Sequence, residues 1–312
     1  MHRAVGRIIS RKHQISRRAR VLLAASVAGL LAPVVSAALA DSSGTLAWLA
    51  DLASHWQWLY AAGLVLGSAF ASLDDRRWAL AMLAAPLPWL TAAGPATLAD
   101  AAQLAPAEGL SVATANVNLD NRDPAALLRW LSKTAPDVVV LHEVSDDYAE
   151  KLNDEATYPY RYLAPADNPF GVAVLSRLPL VVPRIVTGED GIGHVEAQVE
   201  WNGRLVWLAT FHPMPPFTPR DHHIRNRKLE SMARGAAASG KPALIVGDLN
   251  ATPWSSAFTA LEPAGFRRAT GLAPTWPAIG RGWLGIPIDH ILVSSHWSVV
   301  ERESGALPGS DH

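Results

Sequence analysis

The first third of the chain is dominated by three uncharged, apolar runs. Positions 21–40 contain no charged residue, and a helix of that length crosses a hydrocarbon core of about 30 Å. Two shorter runs, 58–73 and 78–93, contain Gly or Pro, which membrane helices tolerate. Tryptophans stand near the ends of these runs, as is typical of a membrane interface. The pattern predicts three transmembrane helices, with a loop at 41–55.

A signal peptide is an alternative for the first run, because Ala38-Leu39-Ala40 resembles a small-residue cleavage site. A soluble helical cap is another. The basic segment 1–20 and the arginines at 76–77 predict a cytoplasmic N terminus. An odd number of spans in the cytoplasmic (inner) membrane then places the rest of the chain on the periplasmic or extracellular side. Residues 94–108 are rich in Ala and read as a linker.

Beyond the linker, short apolar strands alternate with helices. The Asp123-Pro124 pair is a helix start signal, and Asn202-Gly203 is a hairpin signal. The alternation predicts an α/β or α+β fold in which two sheets pack face to face with helices outside. The predicted strands are 110–117, 138–141, 170–176, 180–187, 193–201, 204–211, 243–246 and 286–293, and the predicted helices are 123–133, 221–238 and 255–261.

Composition excludes several classes of function. The 312 residues include no Cys, which excludes disulfides, thiolate metal ligands and thiol catalysis. The formal net charge is -1, so no global positive field attracts nucleic acid. The helix 221–238 is basic, and we expect its His222 and His223 to lie on the surface.

Polar side chains collect where the predicted strands end. Asp248 and Asn250 follow the strand 243–246 with one residue between them, which puts both side chains on one side of the chain. An Asx turn is the structural alternative for this pair. Glu143 follows the strand 138–141 almost directly. The remaining polar residues at strand ends or in loops are Asn116, His212, Asp289, Asp311 and His312. If the sheets pack side by side, one rim collects them all.

Taken in order, these motifs resemble the endonuclease/exonuclease/phosphatase superfamily, which has the DNase-I-like fold. The resemblance covers about residues 109–312 and implies a four-layered α/β sandwich. The motifs are N-V-N at 116–118, a Glu after the second strand, S-R-x-P at 176–179, a strand ending in His, G-D-x-N at 247–250, I-D-H at 288–290 and S-D-H at 310–312.

The resemblance implies a role for each matching residue. Glu143 would be the principal ligand of Mg²⁺ or Mn²⁺, with Asn116 beside it. Asp311 would be a further carboxylate of the metal site or a hydrogen-bonding one. Asp248 would orient or deprotonate the attacking water, and Asn250 would hold a phosphoryl oxygen.

Two histidines complete the implied site. His312 would pair with Asp289, whose carboxylate fixes the imidazole tautomer and favours its charged form. His212 would donate a hydrogen bond to the phosphate or to the leaving group. We treat His290 as a structural neighbour, because it follows Asp289 and points the opposite way on a strand.

The implied activity is divalent-metal-dependent hydrolysis of phosphoric esters, with DNA or RNA phosphodiesters as the leading substrates. Phospholipid or sphingomyelin-type head groups are the alternative that membrane tethering would suit, and a non-catalytic binding module is a different class. No protein partner is evident. Trp254, Trp276 and Trp283 lie in loops that could flank the site, to stack on bases, dip into lipid or pack the loops. Family members usually continue after S-D-H with a final core strand, which this sequence lacks. Either the sequence is truncated or incomplete, or, if it is real as written, we expect weak or absent activity.

Overall fold

A computed structural model describes residues 17–96, 109–153, 156–280, 282 and 284–312. The chain divides into two compact units. The first consists of the part up to Ala92 together with the short segment Trp254–Ser256. The second consists of Ala93–Pro253 and Ala257–His312. Most of the predicted linker and most of the basic N-terminal segment lie outside the described residues.

One helical stretch of the first unit, among the described residues, is long and apolar enough to cross a membrane. It runs over 22 residues from Arg17 to Ala38, and a turn at Leu31 divides it. The second predicted span forms a helix of 15 residues, and the third is divided between a 3-10 helix and a five-residue α-helix. Among the described residues, one of the three predicted runs thus lies in a helical stretch of membrane length, and more than one transmembrane helix stays a prediction. A helix also occupies the predicted loop at 41–55. The elements are α1 (17–30), α2 (Ala32–Ala38), α3 (Thr45–Ser54), α4 (Gln57–Ala71), the 3-10 helix Arg76–Ala84 and α5 (Leu87–Thr91).

A buried carboxylate organises the polar interior of this first unit. Asp51 Oδ1 accepts hydrogen bonds from the hydroxyls of Ser36 (2.9 Å), Ser255 (2.8 Å) and Ser256 (2.9 Å), and from the backbone N–H of Ser256 (2.7 Å). Several donors on one oxygen offset the cost of burying the charge.

Trp254 belongs to the interior of the same unit. Its indole Nε1 donates to the carbonyl of Pro88 (2.7 Å), and its ring meets the ring of Trp58 edge-on at 5.2 Å. Of the three roles open for this residue, the structure therefore gives it packing.

The second unit contains two mixed sheets. The first has the strand order β1-β2-β4-β3 and the second β5-β6-β7-β8-β10-β9. Pairs β1/β2 and β7/β8 are parallel, and the other pairs are antiparallel. The strands are β1 (Val112–Asn116), β2 (Val138–His142), β3 (Tyr160–Ala164), β4 (Val172–Ser176), β5 (Leu180–Thr187), β6 (Gly193–Trp201), β7 (Arg204–Thr210), β8 (Ala243–Asp248), β9 (Phe266–Arg268) and β10 (Asp289–Ser294).

Helices cover the outer faces of both sheets. Val140 and Val246 belong to the apolar layer that the two sheets enclose between them. On the outer face of the first sheet, α6 (Ala125–Thr134) and α7 (Asp146–Asn153) form a second apolar layer. On that of the second sheet, α8 (Pro219–Ala238) forms a third. The order helix–sheet–sheet–helix confirms the predicted α/β sandwich.

Helix α8 begins at Pro219, two residues before its predicted start. Thr218 and Asp221 form a capping box, in which each side chain binds the backbone N–H of the other. His222 is buried, so its predicted surface position is wrong. It recurs with Arg225 and Leu229 at the three- and four-residue spacing of one helix face, and that face is the buried one.

Candidate active site

The ends of four strands meet at one rim of the sandwich. Asn116 is the last residue of β1, Glu143 follows β2, and Asp248 is the last residue of β8. Asp289, the first residue of β10, is the register partner of Asp248, because the two strands are antiparallel. The Nδ2 of Asn116 donates to Asp248 Oδ2 across 3.2 Å and so connects the two sheets. The rim gathers these side chains as the sequence predicted.

Two rim residues have left-handed backbone conformations that end their strands. The φ angle is 61° at Glu143 and 47° at Asn250, a conformation that costs a non-glycine residue about 1–3 kcal/mol. Side-chain hydrogen bonds hold both. Glu143 accepts from Asn116 Nδ2 (2.8 Å) and from the N–H of Leu119 (3.0 Å). Asn250 donates from its backbone to Asp248 Oδ1 (2.9 Å) and from Nδ2 to the carbonyl of Pro213 (3.0 Å).

Asp248 lies at the centre of the polar cluster. Its Oδ2 is 3.5 Å from His212 Nδ1 and 3.7 Å from His312 Nε2, besides its contact with Asn116. Burial, and then the nearby charge of Asp289, raise the pKa of Asp248 above its ordinary value. A carboxylate with a raised pKa is a better proton acceptor toward water.

His312 and Asp289 form a close buried pair. His312 Nδ1 is 2.7 Å from Asp289 Oδ2. Burial alone would lower the pKa of His312, but the hydrogen bond and the charge of Asp289 raise it to about 9. Burial likewise acts to raise the pKa of Asp289, and the bond to His312 turns the net shift downward. His312 is therefore an imidazolium at neutral pH, with N–H donors at both ring nitrogens.

His212 stands between the carboxylates of Glu143 and Asp248. Its Nε2 is 3.8 Å from Glu143 Oε1, and its Nδ1 is 3.3 Å from the backbone oxygen of Asp248. Behind it lies His142, with the ring centroids 5.2 Å apart. Burial, and then the charge of His212, lower the pKa of His142 to about 3, so His142 supports the site as a neutral ring.

Gly247 leaves room for this histidine pair. Its φ is +150°, and a Cβ at this position would collide with His142 Nε2 and with the carbonyl of Phe211. The glycine of the G-D-x-N motif is therefore required by close approach of two neighbouring strand ends. The motif predicted a site here, but only the packing gives the reason for its glycine.

Asp311 lies apart from the carboxylate cluster. It is exposed, its Oδ2 accepts from Trp276 Nε1 (3.1 Å), and its carbonyl accepts from the N–H of Ala278 (2.7 Å). Its observed contacts thus join the 276–278 loop to the S-D-H motif. Trp283, the other predicted loop tryptophan, lies outside the described residues.

Ser310 is a site residue that the sequence reasoning missed. Its hydroxyl donates to the carbonyl of Asn116 (2.7 Å) and accepts from the N–H of His312 (2.9 Å). These bonds fix His312 relative to β1. The S-D-H motif contained the only sequence signal for this role, and the serine there carries no chemistry that would single it out.

The residues of the rim fit a hard divalent cation. Glu143, Asp248 and Asp289 place three carboxylates near one imidazolium, and Asp289 Oδ1 is buried with no hydrogen-bond partner among the described residues. A cation with oxygen ligands would offset this excess of negative charge.

Two groups of residues could hold such a cation. Asp248, Asp289 and His312 offer ligand atoms within 4.8 Å of one another. However, a protonated His312 has no lone pair for a metal. Glu143 is partly exposed and accessible, and Asn116 lies against it. Glu143 with Asn116 therefore fits a cation better.

A four-layered α/β sandwich with carboxylates, an amide and histidines at one rim defines a class of phosphoric ester hydrolases. The match to a family model gives the same assignment in more specific terms. Residues 113–312 match the endonuclease/exonuclease/phosphatase family, and the chain belongs to that family. Its members typically depend on a divalent metal. No curated protein sequence matches this chain.

Solved structures share the fold at low sequence identity. A humanized Danio rerio TDP2 is 20% identical with a TM-score of 0.50, over 60% of this chain and 83% of that one. A β-hairpin deletion mutant of Staphylococcus aureus beta toxin is 16% identical with a TM-score of 0.49, over 64% and 90%. An AP endonuclease from Archaeoglobus fulgidus is 14% identical with a TM-score of 0.47, over 60% and 87%. At these identities the likeness concerns the fold alone.

Proposed function

We propose that this phosphoric ester hydrolase is a phosphodiesterase that depends on Mg²⁺ or Mn²⁺. The observation that carries the proposal is the surrounding of Asp248 Oδ2, with Asn116 at 3.2 Å, His212 at 3.5 Å and His312 at 3.7 Å. One buried carboxylate with a raised pKa thus faces an amide and two histidines. This arrangement combines a proton acceptor with donors to a phosphoryl group.

Each residue of the chain has a distinct role in the proposed reaction. Asp248 orients the attacking water and accepts its proton while the new P–O bond forms and the ester P–O bond breaks. His312, charged through Asp289, donates a hydrogen bond to a phosphoryl oxygen. Asn250 gives one amide hydrogen to Pro213, and its second hydrogen is available to the phosphoryl group. His212 donates to the leaving oxygen.

Glu143 and Asn116 would hold the divalent cation in this proposal. A bound cation supplies Lewis acidity and a template for in-line displacement at phosphorus. Asp311 is kept outside this metal site, because its carboxylate binds the indole of Trp276 instead.

DNA or RNA is the first proposed substrate, and the family assignment supports it. A phospholipid head group is the second. The observation that favours it is a set of exposed apolar side chains, Phe217, Ile279 and Leu284. Phe217 follows His212 by five residues, and the other two lie near Trp276 in sequence.

The proposal extends to location. The stretch Arg17–Ala38 is apolar and long enough to anchor the chain in a membrane, and the basic residues before it favour a cytoplasmic N terminus. A signal sequence near the N terminus has the same features and stays the alternative. Mass spectrometry of the mature N terminus from a membrane fraction distinguishes them, because a processed protein begins after Ala40.

The test of function uses the full chain in detergent, with bis(p-nitrophenyl) phosphate as substrate and Mg²⁺, Mn²⁺ or EDTA. We expect metal-dependent turnover that Asp248→Asn abolishes and that Glu143→Gln strongly reduces at a Mg²⁺ concentration that saturates the wild type, while the exposed-site control Asp120→Asn retains it. Folded protein without turnover would favour the non-catalytic binding module.

A second experiment separates the two substrate classes. DNA and anionic phospholipid vesicles are compared for the wild type and for Phe217→Ser. If lipid is the substrate, Phe217→Ser lowers turnover on vesicles and leaves turnover of the soluble ester unchanged. Equal turnover of vesicles by the wild type and Phe217→Ser would mean that Phe217 gives no support to a phospholipid substrate.

A further inference from the structure

The turn after β8 contains a second layer of polar contacts behind the proposed catalytic face. Asn250 has a left-handed backbone (φ 47°), so its conformation persists only where its surroundings hold it. Its carbonyl oxygen accepts a hydrogen bond from Arg225 Nη1 at 2.8 Å. The next carbonyl, of Ala251, contacts His290 Nε2 at 3.0 Å. Two consecutive backbone oxygens are thus bound from the protein interior.

Arg225 is itself held rigidly. It is only 1% exposed, and its Nε and Nη2 both donate to Asn226 Oδ1, at 3.0 and 2.9 Å. Asn226 Nδ2 in turn lies 3.2 Å from His222 Nε2. Because a guanidinium is planar, fixing two of its three nitrogens also fixes the position of the third. The third nitrogen, Nη1, is the one that meets Asn250.

Packing alone does not explain why an arginine occupies position 225. The same face of α8 carries Leu229, Met232 and Ala233, and an apolar residue would pack there without loss of hydration. Burying a cation costs several kcal/mol unless hydrogen bonds offset the loss. The bond to the Asn250 carbonyl is one that an apolar residue could not make.

We propose that Arg225 is a positioning residue, which holds the Asn250 turn so that the amide of Asn250 faces the phosphoryl group. The inference rests on the proposed function for the role of Asn250. It adds a chain of polar contacts, His222–Asn226–Arg225, that extends from α8 to the Asn250 turn. The sequence indicated only that this helix is basic and gave Arg225 no role.

The test compares Arg225→Met and Arg225→Lys with Arg234→Met in the full chain. Arg234 is an exposed arginine of the same helix, paired with Glu230, and serves as the matched control. We expect Arg225→Met to lower kcat about 10- to 100-fold, the scale of a misplaced catalytic group, with KM changed less than about threefold. Lysine can reach the carbonyl but cannot keep the fork to Asn226, so Arg225→Lys should recover part of the loss. A kcat for Arg225→Met equal to that of Arg234→Met overturns the proposal.

A double-mutant cycle separates positioning from a general structural effect. If Arg225 acts through Asn250, then Asn250→Ala and Asn250→Ala/Arg225→Met have the same kcat. Losses that multiply would mean that Arg225 acts by another route and would refute the assignment.

Hydrogen exchange provides a readout that does not need activity. The Asn250 N–H is bonded to Asp248 Oδ1, so release of the turn should speed exchange in a peptide covering 248–253. We expect this in Arg225→Met, measured well below its melting temperature, and not in Arg234→Met. If the wild type proves inactive, faster exchange still supports the positioning role while the proposed function fails. Unchanged exchange overturns the positioning role whether or not the protein turns over.

Discussion

The Asp289–His312 pair offers the sharpest test of how the site works. Replacing Asp289 with Asn keeps the size of the side chain and removes the charge that lies 2.7 Å from His312 Nδ1. Burial of His312 remains and acts to lower its pKa. We therefore expect the pKa of His312 to fall from about 9 to below ~7 in the variant, since ordinary histidine titrates near 6.5.

The same shift gives the size and sign of the effect on stability. A rise from 6.5 to about 9 corresponds to ~3 kcal/mol, at roughly 1.4 kcal/mol per pKa unit. Because the folded-state pKa is raised, this stabilisation is fully present below pH ~6.5 and is lost as the pH rises through about 9. On the acid side the pKa of Asp289 is lowered, so the pair weakens as the pH falls through the folded-state pKa of Asp289.

The assay follows the ring proton of His312 by NMR against pH, in the wild type and in Asp289→Asn, with His312→Gln to assign the signal. Denaturant unfolding at pH 6 and pH 9.5 gives the free energies. We expect Asp289→Asn to lower the free energy of unfolding at pH 6 and to change it little at pH 9.5. We also expect the fall of kcat at alkaline pH to begin closer to neutral pH in the variant. Asp120→Asn is the control. A His312 that still titrates near 9 without the Asp289 carboxylate would refute the reasoning.

Three further predictions concern residues with separate roles. Glu143→Gln should raise the Mg²⁺ concentration needed for half-maximal turnover by at least ~10-fold, as lost metal-site contacts do; an unchanged metal titration would exclude Glu143 as a ligand. Gly247→Ala should destabilise the fold by more than ~2 kcal/mol in denaturant unfolding, because its Cβ collides with His142; wild-type stability would contradict this. Asp51→Ala should remove the acceptor that the Ser255 and Ser256 hydroxyls share. We expect the free energy of unfolding to fall by ~1–3 kcal/mol for each hydrogen bond lost and the melting temperature to fall with it; an unchanged melting temperature would show that water replaces the carboxylate.

The sequence by itself determined the sandwich and most of its rim. Alternating apolar runs with period two identify strands, and their boundaries agree closely with β5 and β6. The order of the motifs identified Glu143, Asp248 and His312 as rim residues. For Glu143 and Asp248 the physical reason is that a polar residue at the end of a buried strand lies at the edge of the sheet. Element α7 and the strands β3 and β9 were not predicted. Their patterns are short or weak, and pairing with neighbouring strands stabilises β3 and β9.

Only the tertiary structure decided which contacts each polar residue makes. Nothing in the sequence distinguishes the buried Arg225 from exposed arginines of the same helix, since burial depends on which face meets the sheet. Likewise, Asp311 and His312 are adjacent in the chain, yet one binds the Trp276 indole and the other binds Asp289. The pKa of His312 and the direction of the Asn250 carbonyl arise from contacts between residues far apart in sequence. Such contacts depend on distance and burial, which a linear pattern does not contain.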